Sequence, residues 1–402
     1  MLWLSFTLKV FLLNWGGIAV MKAIPGNERY YTTVRSWTLV ILSAAFLHIF
    51  FEIPRIQLVI LTLVLAGLYV TTRLIKRFHA TGTFLTVLFA AFVIHKYFQH
   101  SGLQKEFYVA LGLSFLFLKV FSYSWLFLKG HIKQATLGGF LAYCLFFPAY
   151  LSGPIYEYEE FHSQLARKYT PNETAFNILK GTKRIILGWF KVSVLERFIS
   201  NYTFFNVGEN MLLDMPRWAA VLSIYITLFD LYLNFSGAID MALGASKCLG
   251  LDLPENFAYP FTARNMVDFW QKWHITFSNW LRKYIFLPLS KFLFSIKHLP
   301  VDDDWVAAFS LGATFSMMGI WHGLKPTDLA YGAFHGIGVF AALAWGQWLK
   351  KKGYLERYMK NPFIHFAAWA ITMNYVSFGL ILFYADNPEK FHLFMKVLRR
   401  LI

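Results

Sequence analysis

Two histidines stand out by their company in a chain that is otherwise strongly apolar. His274 lies in the run Phe269-Trp270-Gln271-Lys272-Trp273-His274-Ile275-Thr276-Phe277-Ser278-Asn279-Trp280, and His322 in Met318-Gly319-Ile320-Trp321-His322-Gly323. Burial among aromatic rings disfavours the charged imidazolium, so such a ring stays neutral near pH 7 and is able to accept a proton. A general base needs that property, together with a substrate hydroxyl within hydrogen-bond reach. Gly323 leaves room beside the His322 ring and is able to end a helix there. The competing reading is that both are packing residues. His48, His95, His335 and His365 sit on apolar segments without such company and read as hydrogen-bonded core histidines.

A second polar group comprises Asp230, Asn234, Ser236 and Asp240, within the run IYITLFDLYLNFSGAIDMALG. Asp230 and Asn234 are four apart and share a helical face. A carboxylate there is placed to bond a histidine or a backbone donor, or to join a structural polar network between helices. Lys119 and Lys191 are expected to snorkel or to pair with carboxylates such as Glu196. Ser152-Gly153-Pro154-Ile155 reads as a span stop followed by an extended turn, and Tyr156-Glu157-Tyr158-Glu159-Glu160 as the start of an interfacial segment. Other chemistries lack their residues. There is no G-x-S-x-G elbow, P-loop, dinucleotide glycine fingerprint or H-E-x-x-H. Cys144 and Cys248 are far apart, so no metal site is expected.

The elements that must position these groups follow from composition. Of 402 residues, 57% are hydrophobic and only 15% charged, and the mean hydropathy is +0.46. A soluble surface needs about 25% charge, so the chain reads as an all-α polytopic integral membrane protein. Aromatics reach 19%, which suits interfacial anchoring. The net charge of +16 is assigned to loops facing anionic lipid rather than to nucleic acid. A span needs about 20 apolar residues. Candidate segments are 2–21, 37–53, 56–72, 82–98, 107–128, 136–151, 184–200, 217–241, 269–293, 305–322, 328–349 and 363–384, about ten to twelve membrane helices. The N-terminal one reads as a span or interfacial helix rather than a cleaved signal. Segment 269–293 carries Gln271, Lys272, His274, Arg282 and Lys283, too many polar groups for lipid, and reads as re-entrant or cavity-lining. The basic loop 349–362 should be cytoplasmic. The equally basic tail beyond one further span then conflicts, unless the tail helix lies on the membrane surface.

In this setting the ordered motifs resemble the membrane-bound O-acyltransferase family. Leu111-Gly112-Leu113-Ser114-Phe115 through Tyr123 is similar to its "GISF…Y" segment, and Phe146-Phe147-Pro148 with Ser152-Gly153-Pro154-Ile155 to "FFP…GPI". Asn234-Phe235-Ser236-Gly237 with Asp240-Met241-Ala242 is similar to "DFSG…DMA". Pro254-Glu255-Asn256-Phe257 through His274 resembles the block before the first family histidine. Trp321-His322-Gly323 with Tyr331-Gly332-Ala333-Phe334-His335-Gly336 resembles the block of the second.

The resemblance covers about 110–385 and implies one membrane-embedded domain over 1–402, with membrane helices and re-entrant or interfacial helices around a central funnel. It implies acyl transfer from a thioester donor to a hydroxyl, His322 as general base and His274 as its partner. Trp270, Trp273, Ser278, Trp280, Arg282, Trp321 and Ser152, with the Asp230–Asp240 group, are the expected cavity lining. The implied donor is acetyl-CoA or an acyl or D-alanyl carrier protein on the cytoplasmic side, with no tightly bound cofactor. An extracytoplasmic acyltransferase partner and a bacterial cytoplasmic membrane complete the expectation. Two bacterial branches fit, one acetylating alginate and one D-alanylating teichoic acid. Three positions depart from both: Arg282-Lys283 replaces Arg-Asp, Asn234 replaces the first Asp of "DFSG", and Tyr156–Glu160 replaces basic residues. A transporter or channel is the distant alternative, weakened by the lack of internal repeats. A noncatalytic partner in a polymer-modifying complex is a third reading.

Overall fold

A backbone inside hydrocarbon has only itself to bond with, so continuous apolar runs become helices. In the computed structural model, residues 28–78, 80–100, 112–296 and 303–401 are described, and nearly every ordered element among them is helical. The chain is a polytopic all-α membrane protein. The elements are α1 (Glu28–Phe50), α2 (Arg55–Arg77), α3 (Thr81–His100), α4 (Leu113–Leu128), α5 (Leu137–Leu145), α6 (Tyr158–Leu165), α7 (Pro171–Phe190), α8 (Glu209–Asp214) and α9 (Arg217–Cys248). After these come α10 (Met266–Lys272), α11 (Ile275–Leu281), α12 (Leu287–Ser295), α13 (Asp303–His322), α14 (Pro326–Lys351), α15 (Leu355–Lys360), α16 (Pro362–Tyr384) and α17 (Pro388–Leu401).

Among the described residues, six helices are long and apolar enough to cross a membrane: α1, α2, α3, α9, α14 and α16. Their outward apolar residues, such as Ile41, Leu63, Val87 and Ile371, are more than half exposed, which a lipid surface tolerates and water would not. Several of the ten to twelve expected segments are not single spans. The expected 136–151 folds as the nine-residue α5 plus a 3₁₀ turn at Phe147–Ala149, because Pro148 breaks the helix. The expected 184–200 runs from the capping box of Thr170 and Glu173 through α7 into a π-helical turn, Lys191–Glu196. The expected 269–293 breaks into α10, α11, a π-helical turn at Arg282–Phe286, and α12. Segment 2–21 lies outside the described residues.

Residue contacts divide the chain into two compact units, Met1–Val194 with Phe235–Pro254, and Leu195–Asn234 with Glu255–Ile402. In the first, Arg35 of α1 is a fully buried clamp. Its guanidinium donates to the carbonyls of Gln164, Leu165 and Arg167 at 2.9–3.2 Å, and to those of Leu249 and Gly250 at 2.8 and 3.2 Å. Helices α7 and α9 approach so closely that a Cβ on Gly188 would stand 2.4 Å from the Gly237 carbonyl, and one on Gly181 2.5 Å from that of Gly244. Small residues permit this contact of backbones. Lys119 does not snorkel. It is buried, with its ammonium 3.2 Å from the Tyr156 hydroxyl and 3.4 Å from the Tyr143 carbonyl. Tyr156 and Tyr158, read from sequence as interfacial, are buried as well, because their rings complete that aromatic core.

In the second unit α13, α14 and α16 pack around the site described below. Its other core, Phe204, Leu212, Ala220 and Ile381, also buries Phe394 and Val397 of α17. The tail's cations are largely spoken for. Lys390 pairs with Asp386 at 2.9 Å and Lys396 with Glu209 at 2.7 Å, while Arg400 donates to the carbonyls of Leu212 and Met215.

Candidate functional site

His274 sits at a break made by its neighbours. Asn265 caps α10 by accepting from the Asp268 amide at 2.8 Å. Seven residues later the helix ends at Lys272 and the chain turns extended. Trp273 forms an antiparallel bridge with Phe257, where the Ala258 amide donates to the Lys272 carbonyl and the Ile275 amide to that of Asn256, both at 3.0 Å. Between these contacts His274 takes a left-handed backbone, φ +46°, and its carbonyl starts α11 by accepting from Ser278. That conformation costs a non-glycine residue about 1–3 kcal/mol and persists only where the surroundings over-determine it.

The His274 ring is buried. It packs against Phe277 and Trp321, with ring centroids 5.0 and 6.1 Å away. Its Nδ1 lies 3.3 Å from Asn256 Oδ1. His274 lies outside the six long apolar helices, and burial first, then the nearby His322, holds its imidazole below the usual histidine value. The ring is therefore neutral at pH 7.

His322 is the last residue of α13 and is half-buried. The helix stops there as the glycine suggests, the Gly323 amide making its last bond to Gly319. The ring lies against Trp321, Phe383 and Tyr331, at 4.9, 5.2 and 5.7 Å. Two glycines set this proximity. A Cβ on Gly332 would meet the Phe315 carbonyl at 2.4 Å, and one on Gly319 the Asp328 carbonyl at 2.7 Å. They let α13 and α14 touch along their backbones, which carries Tyr331 and His335 to His322. The tryptophan read from sequence as cavity lining, Trp321, thus stands between the two histidines.

His335 was expected to be a hydrogen-bonded core histidine. It is fully buried, with Tyr331 at 4.4 Å and Trp270 at 5.2 Å, but both ring nitrogens lack a hydrogen-bond partner. Leaving a buried imidazole unbonded is costly, so the expected hydrogen bonds of a core histidine are not what holds this ring. Among the described residues no three His, Cys, Asp or Glu side chains gather closely enough to hold a metal ion.

The sequence model of the membrane-bound O-acyltransferase family matches residues 3–384. The chain belongs to this family. It is 30% identical to a teichoic acid D-alanyltransferase of Bacillus subtilis, over 70% of this chain and 69% of that protein. It is 31% identical to a peptidoglycan O-acetyltransferase of Helicobacter pylori, over 66% of this chain but only 47% of the longer relative. A probable alginate O-acetylase AlgI of Pseudomonas syringae is 26% identical over 69% of this chain and 49% of its own length. The chain is a multi-pass membrane O-acyltransferase in a lipid environment.

Within this O-acyltransferase the other candidate residues separate. Trp270 is half-buried beside Phe315 and His335. Trp273 is buried between Phe257 and Phe269. Ser278 is half-buried, 3.5 Å from the Trp273 carbonyl. Trp280 is buried against Tyr284, whereas Arg282 is exposed. Ser152 is half-buried in a turn of the first unit.

The group from Asp230 to Asp240 is not one cluster. In the first unit Asp240 accepts from Lys191 at 2.6 Å and from Arg184 at 3.0 Å, and Ser236 lies 3.3 Å from Lys191. Lys191 therefore pairs with a carboxylate, as expected, and the carboxylate is Asp240, because the π-helical turn starting at Lys191 follows the close glycine contact with α9. In the second unit Asn234 lies 3.5 Å from Glu196, and Asp230 keeps a buried, unbonded Oδ1. Sequence reasoning placed Asn256 in a motif without a role. Only its eighteen-residue distance from His274 concealed the contact.

Proposed function

We propose that this chain transfers an acyl group, most simply acetyl, from a thioester donor to a hydroxyl of a cell-envelope polysaccharide or other polymer. His322 is the general base and His274 its partner. A thioester is already activated, so the enzyme needs proximity, a base and polar groups for the developing oxyanion rather than a covalent nucleophile. His322 takes the proton of the acceptor hydroxyl as its oxygen attacks the carbonyl carbon. Collapse of the tetrahedral intermediate breaks the carbon–sulfur bond, and the thiol leaves with that proton. The observation that carries the reading is the edge-on packing of His274 and His322 against Trp321, at the end of α13 and the break before α11. The donor enters from the cytoplasmic side of a bacterial cytoplasmic membrane, and an extracytoplasmic acyltransferase completes transfer where the acceptor lies outside.

The test is turnover by the purified His322→Ala variant. Unchanged acyl transfer in a folded variant overturns the assignment. The likeness to a teichoic acid D-alanyltransferase over 70% of the chain favours a second donor, a D-alanyl carrier protein. Turnover with acetyl-CoA against turnover with the charged carrier separates the two.

A further inference from the structure

We infer that Asn256 is a positioning residue that locks His274 in the tautomer protonated on Nδ1, so that His274 meets the reacting groups through Nε2 as a hydrogen-bond acceptor and not as an oxyanion donor. The role in the reaction rests on the function proposed above; the tautomer does not. Asn256 is fully buried. Its side-chain oxygen is identified by its partners, since it accepts from the backbone amide of Thr276 at 3.1 Å and from the Thr276 hydroxyl at 2.9 Å. The amide N–H is an obligatory donor, so the atom facing it is Oδ1 and not Nδ2. The same oxygen lies 3.3 Å from His274 Nδ1. An amide oxygen only accepts, so Nδ1 carries the proton, and in a neutral ring Nε2 then carries the lone pair.

The arrangement is rigid on both sides. The Asn256 carbonyl is held by the Ile275 amide, and His274 is held in its left-handed backbone between the two bridge contacts. Asn256 Nδ2 is buried without a hydrogen-bond partner. A buried, unbonded amide is unfavourable, and an apolar residue of similar size would avoid it. The oxygen is what the position requires.

The test is nitrogen-15 NMR of the full chain in lipid nanodiscs, labelled in its histidine side chains, with His274→Gln identifying the signal. The expected result is a protonated-type shift at Nδ1 and an unprotonated-type shift at Nε2. The opposite pattern overturns the inference, whatever the transfer assay reads. Asn256→Asp keeps an acceptor and should keep the tautomer and at least part of kcat. Asn256→Leu should release the tautomer and lower kcat by on the order of a hundredfold or more, as a catalytic histidine in the wrong tautomer does, with KM for the donor nearly unchanged. If Asn256→Leu does not fold, the wild-type spectrum and Asn256→Asp still decide. A tautomer that persists in folded Asn256→Leu overturns the inference and leaves the acyltransfer reading standing. An inactive wild-type preparation with the expected spectrum points at that reading instead.

Discussion

Trp321 lies with its ring centroid 6.1 Å from that of His274 and 4.9 Å from that of His322. One indole therefore touches both histidines, which are 48 residues apart in the chain by their numbers. The two rings come from different breaks in the helical pattern, and the indole fixes their relative placement. Trp321→Ala should open a void beside both and lower kcat through their geometry, while Trp321→Phe should keep much of the activity. Steady-state turnover of the two variants checks this; equal activity of Trp321→Ala and wild type would show that the indole positions neither ring.

Loss of the base should cost rate more than binding. His322→Ala is expected to reduce kcat by on the order of 10²- to 10⁴-fold, the usual contribution of a general base. His322→Gln, similar in size but unable to take the proton, should do the same. Donor binding measured separately should change little.

The backbone contact of α13 and α14 predicts a contrast among glycines. Gly332→Ala and Gly319→Ala put a methyl within 2.4 and 2.7 Å of a carbonyl oxygen, whereas Gly312→Ala and Gly346→Ala meet nothing within 4 Å. The first pair should lower thermal stability in detergent and move His322. The second pair should be neutral or slightly stabilising, since alanine favours helix. Melting curves of the four variants test it, and an equal loss in all four refutes the packing argument.

The Asp240 ion cluster predicts asymmetric damage. Asp240 is 9% exposed and Lys191 18%. Removing Asp240 strands the Lys191 charge at low dielectric, at a cost of about 3–5 kcal/mol, whereas removing Lys191 leaves Asp240 paired with Arg184. Lys191→Met combined with Asp240→Leu should be milder than Asp240→Leu alone. A double-mutant cycle in melting temperature reads the coupling directly.

Asp386, in the link between α16 and α17, offers a pH signature. Hydrogen bonds from Lys325 and then Lys390 hold its carboxyl down at about 2, against an ordinary 3.8. A carboxyl depressed on folding adds stability that is fully present above the ordinary value and lost as pH falls through the folded one. The contribution should fade between about pH 4 and pH 2. The effect is modest because the pair is more than one-third exposed. Asp386→Asn should flatten that part of the stability profile, as measured by thermal melting across the range.

Sequence alone was enough for the fold class, and its ordered motifs for the family. So few charges on so apolar a chain leave only a membrane protein, and continuous apolar runs in lipid leave only helices. His274 and His322 stood out as candidates because a histidine among tryptophans changes the local pattern over a few residues, and Gly323 did mark the end of α13. What depends on pairing across the chain was not legible. Asp230 and Asp240 lie on one helix, yet α9 contributes to two compact units and gives each carboxylate different neighbours. Lys191 found Asp240 because glycine contacts bring α7 and α9 together. His335 looked like an ordinary core residue until Gly319 and Gly332 brought its helix onto α13. Asn256 was one letter in a motif until the Phe257–Trp273 bridge carried its oxygen to His274. Local pattern reports what a residue is able to do, because burial and periodicity act over a few residues. Which partner it does it with depends on close approaches between distant segments, and these exist only once the chain has packed.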